Sequence, residues 1–106
     1  MSQPSVLILL TTCPDRASAE TIASALVTER LAGCVNIVPD ISSWYRWQGE
    51  VRSSTEHLLL IKAPCAHYER LEARLQALHP YELPEIIAVT VASGLPAYLS
   101  WLSHPE

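Results

Sequence analysis

From Gly33 to Gln48, and again from Glu50 to Lys62, the chain reads almost continuously as β-strand, with Gly49 at the turn between the two runs. The sixteen residues of the first run, at ~3.3 Å each, reach roughly 50 Å. A compact domain of this length has a radius of gyration near ~13 Å and a diameter of about 35 Å. The hairpin therefore overhangs its own core. An overhanging hairpin that carries Trp44, Tyr45 and Trp47 needs a partner surface, because bare strand edges and exposed aromatics invite association. The expectation is a stable oligomer whose functional surface draws on more than one subunit.

The 106 residues amount to one domain, with 49% hydrophobic residues to build one modest core. No apolar run approaches the ~18 residues that a membrane-spanning helix needs. The opening MSQPSVLILLTTCPD has no basic stretch before its apolar one and no small-residue cleavage site, so it reads as a strand and not as a signal peptide. A net charge of −4 argues against general affinity for nucleic acid. Cys13, Cys34 and Cys65 are odd in number and lack a C-x-x-C pair. Free thiols in a reducing compartment, the cytoplasm, are expected.

Ser5 to Thr12 is a short apolar run that reads as a central strand. Pro14 and Asp15 stop it, and Asp15 is placed to N-cap the next helix. In RASAETIASALVTERLA, one helical stripe holds Ala19, Ile22, Ala23, Leu26, Val27 and Leu31. Gly33 is expected to end that helix. Pro39 and Asp40 predict a bulge in the first arm of the hairpin. The two-residue period puts Tyr45 and Trp47 on one face and Trp44 and Arg46 on the other. Pro64 is expected to open a second helix with Tyr68, Leu71, Leu75 and Leu78 inward. His79-Pro80 ends it, since the residue before proline is pushed out of the α region. Leu83 to Ala92 reads as a fourth strand. A short helix, Ala97 to Ser103, follows with Leu95, Tyr98, Leu99 and Leu102 inward. The order β-α-β-β-α-β-α specifies an α+β, ferredoxin-like sandwich with an extended central hairpin and a short C-terminal helix.

Support for an enzyme is weak. The chain has no G-x-S-x-G elbow, no phosphate loop and no supported Ser-His-Asp order. Its three glycines are scattered. His57, His67, His79 and His104 show no H-x-H or H-x-x-x-H spacing, so a metal site would have to assemble across elements or subunits. His79 is the best candidate, lying at a helix end beside Tyr81, Glu82 and Glu85, where imidazole and carboxylates suit copper or zinc. The alternative is a helix C-cap favoured by the dipole. Tyr45 and Trp47 either line a pocket or fill an intersubunit core. Lys62 either pairs with Glu85 or Glu56 or stands unpaired as an anion hook.

LAGCVNIVPDISSWYRWQGEV, HLLLIKA, ALHPYELPEIIAV and GLPAYLSWL, in that order, resemble the CutA family of divalent-cation tolerance proteins. The likeness runs from about Leu7 to Leu102. It implies a ferredoxin-like homotrimer with hairpins paired between subunits. It also implies a cytoplasmic role in tolerance to copper and other divalent cations, and a trimer similar in architecture to the PII signalling proteins. No catalytic residues come with it. The HPYE match at His79, Pro80, Tyr81 and Glu82 implies a metal-ligand candidate at His79, as in some relatives. Relatives can carry a second histidine where this chain has Leu78, and a cysteine in the first strand where it has Thr11. Cys13 lies two residues further on, about 7 Å along the strand. Three roles follow from these residues. One is a trimeric metal-responsive protein. Another is a small-ligand sensor with an intersubunit cleft near Tyr45, Trp47, Lys62, Tyr81 and Glu85. The third is a structural hub.

Overall fold

The computed structural model describes residues 5–106. Its elements are β1 (Val6–Cys13), α1 (Arg16–Thr28), β2 (Cys34–Trp47), β3 (Glu50–Pro64), a 3₁₀ turn (Cys65–His67), α2 (Tyr68–Leu78), β4 (Ile87–Thr90) and α3 (Pro96–Ser103). The four strands form one sheet in the order β2-β3-β1-β4, antiparallel at every pairing. Both helix crossovers leave and re-enter this sheet as the ferredoxin-like arrangement requires.

One sheet face is covered and the other is largely open. Leu7, Leu9 and Cys13 of β1 and Leu59, Ile61 and Ala63 of β3 bury against Ala19, Ile22 and Leu26 of α1 and Leu71 and Leu75 of α2. At one end of the opposite face, α3 packs Leu99 and Leu102 onto Val6. Beyond α3 no other element of the described residues covers that face. Ile8, Leu10, Leu58 and Leu60 are half-buried, and Ile87 and Val89 are 56% and 51% exposed. Their shared face follows from the register, which sets Leu10 opposite Leu60 and Ile87, and Ile8 opposite Val89.

The hairpin overhangs as its length dictates. The molecule measures 49 × 25 × 23 Å, and most of the distal arm is exposed. Trp47 pairs with Glu50 across a two-residue turn in which Gln48 and Gly49 have φ of 50° and 79°. That is the type I′ geometry whose twist matches the strands, and Gly49 adopts it without a side-chain penalty. The bulge falls between Val38 and Ile41, with Asp40 at φ 56°.

Several expected boundaries differ. Arg30, at φ 62°, ends α1, not Gly33. Leu31 N–H donates to the Leu26 carbonyl and Arg30 N–H to that of Val27, both at 3.0 Å. This is a Schellman closure with Leu26 and Leu31 joined in the core. Gly33 serves close approach, since a Cβ there would meet Leu102 Cδ2 at 3.2 Å. Val27 faces outward, 42% exposed. Pro64 ends β3, and α2 begins at Tyr68 after the 3₁₀ turn. β4 is four residues long; Pro84 has no N–H for a ladder, so the expected strand start at Leu83 is loop. Of the residues expected to face inward from α3, Leu95 and Tyr98 are exposed.

Candidate functional site

The end of β1, the hairpin arm beyond the bulge and the loop from His79 to Ile86 enclose a groove of about 880 Å³. Its walls include Tyr45, Trp47, Arg52, Glu56, Tyr81 and Glu85. The register puts Tyr45 opposite Arg52 and Trp47 opposite Glu50, so both aromatics lie on the same, uncovered sheet face as Glu56. The short β4 contributes too, because the residues it does not take into the ladder become the opposite wall.

His79 fixes that wall. Its backbone leaves the helix at ψ 136°, as a residue before proline must, and its N–H still caps α2 by donating to the Leu75 carbonyl at 2.8 Å. The ring is buried. Nε2–H donates to the Thr12 carbonyl at 2.8 Å, and Nδ1 accepts the Tyr81 N–H at 3.1 Å. A carbonyl can only accept and an amide N–H can only donate, so this pattern specifies the neutral tautomer protonated on Nε2. Tyr81 then continues the chain of bonds. Its ring leans on that of His79, with centroids 4.9 Å apart, and its hydroxyl donates to Glu56 Oε2 at 2.7 Å. The run Thr12–His79–Tyr81–Glu56 thus ties β1, the loop and β3 together.

The electrostatics follow from burial. Glu56 is 7% exposed. Burial raises the Tyr81 hydroxyl well above its ordinary pKa, and the bond to Glu56 adds to the effect. Burial also holds the Glu85 carboxyl above the usual carboxylate range, with the Glu56 charge adding to it. The Cys13 thiol, 4.0 Å from His79 Nε2, is pushed up to about 11, chiefly by burial. It remains a protonated thiol at neutral pH and a poor metal donor.

Of the residues singled out in the sequence, Tyr45, Trp47, Tyr81, Glu82 and Glu85 come together at this groove. His79 stands directly behind it with both ring nitrogens engaged. Lys62 does not join them. It sits opposite Ile8 and Cys34 near the far end of the sheet, about 20 Å along β3 from Glu56 at ~3.3 Å per residue. Of the two alternatives for Lys62, the ion pair with Glu85 or Glu56 does not form among the described residues. Also among the described residues, no three His, Cys, Asp or Glu side chains are grouped to hold a metal. Thr11 is fully buried, and its Oγ1 has no hydrogen-bond partner among the described residues. Sequence reasoning named Glu56 only as a possible partner for Lys62. The available signal was its position as the last acidic residue before HLLLI, on the Tyr45 face.

Residues 7–105 match the family model described as CutA1 divalent ion tolerance protein. The chain belongs to this family. It is 53% identical over 95 residues to the divalent-cation tolerance protein CutA of Thermus thermophilus, covering 90% of this chain and 92% of that one. The chloroplastic CutA of Arabidopsis thaliana is 42% identical over 95% of this chain, which spans 55% of that longer protein. The solved CutA from Xylella fastidiosa superposes with a TM-score of 0.89 at 52% identity, covering 92% of this chain and 93% of that one. Membership of the CutA1 family accounts for the fold and for the motif run from the hairpin to HPYE. The family model and the Thermus relative are both named for divalent-cation tolerance.

Proposed function

We propose that this chain acts in divalent-cation tolerance as a non-catalytic homotrimer that contacts copper or zinc weakly at the lip of the groove. The observation that carries this reading is the groove itself, acidic and aromatic-walled, opening on the sheet face that the chain leaves uncovered. An apolar face of this kind calls for a protein partner, and a second and third copy of the same chain supply one. Glu82 and Glu85 are the carboxylates an arriving ion meets. His79 joins them only by exchanging the Tyr81 N–H on Nδ1 for the metal, and that competition keeps the affinity low. A cytoplasmic setting agrees with three free cysteines among the described residues. No helix of the described residues is long and apolar enough to cross a membrane.

The test is calorimetric titration of the oligomer with Cu(II) and Zn(II), in a background with Cys34 and Cys65 changed to serine. Weak saturable binding that disappears in Glu82→Gln/Glu85→Gln and falls in His79→Asn is the expected result. Binding untouched by either change would move the metal elsewhere. A second reading, a small-ligand sensor at the same groove, is favoured by the buried Glu56 carboxylate, which a metal at the lip does not use.

A further inference from the structure

We draw no further inference here: the strongest candidate, the buried side-chain cluster of Thr11, Cys13 and His57 on the helix-covered face where β1 pairs with β3, holds a lone thiol with two polar atoms that have no hydrogen-bond partner among the described residues, and nothing in the structure points to a ligand for it.

Discussion

Replacing Tyr81 with phenylalanine removes one oxygen and leaves the ring that leans on His79. The deleted hydroxyl donates to Glu56 Oε2 at 2.7 Å, and Glu56 is 7% exposed. Hydrogen bonds to charged groups contribute about 1.5–3 kcal/mol, and a buried acceptor stripped of its donor falls toward the upper part of that range. Tyr81→Phe should therefore destabilise by about 2 kcal/mol. The assay is urea unfolding at fixed protomer concentration, because oligomer stability depends on mass action. The midpoint should fall with the slope unchanged. Glu56→Gln keeps an acceptor but makes the bond neutral, so the double variant should show a coupling of about 1–2 kcal/mol. A Tyr81→Phe variant within about 0.5 kcal/mol of the parent, the range of ordinary surface changes, would mean that water already satisfies Glu56. The network reasoning would then fail.

Thr11→Val exchanges an unpartnered, fully buried hydroxyl for a methyl group and should stabilise by about 1 kcal/mol in the same assay. A loss of stability would reveal a hidden partner for Oγ1. At alkaline pH the sign follows from the Cys13 thiol, raised from 9.0 to about 11 in the folded chain. Unfolded chains release that proton first, so stability present below pH 9 is lost as pH rises from about 9 to 11. The slope of stability against pH over that window should be smaller in Cys13→Ala; an identical slope would contradict the burial of the thiol.

What was legible in the sequence is what rests on local pattern. Nearly continuous strand-like runs on either side of Gly49 mark the hairpin and its turn, and the two-residue period gives the shared face of Tyr45 and Trp47. The helical stripe placed Ala19, Ile22 and Leu26 correctly. The misplaced features depend on partners distant in sequence or on backbone that composition does not mark. Arg30 closes α1 in a conformation usually given to glycine, so Gly33 took the credit. The stretch Leu83 to Ile86 carries strand-like residues, yet Pro84 keeps it out of the ladder and it becomes a wall of the groove. Lys62 and Glu56 lie six residues apart on one face of one strand, so their separation of about 20 Å was already legible in the sequence. His79 was recognised as special through its neighbours, but its two ring bonds depend on the Thr12 carbonyl and the Tyr81 amide, which leave no trace in residue type.

The most direct test of the account is the mass of the chain in solution, because both the groove reading and the role in tolerance rest on an uncovered sheet face meeting other copies. Size-exclusion chromatography with light scattering at micromolar concentration should give a trimer of the 11.7 kDa chain. Leu60→Asp, a charge placed on that face, should shift the population to monomer. A parental mass of 11.7 kDa would contradict the account, since Ile87, Val89 and the hairpin aromatics would then face water with nothing to cover them.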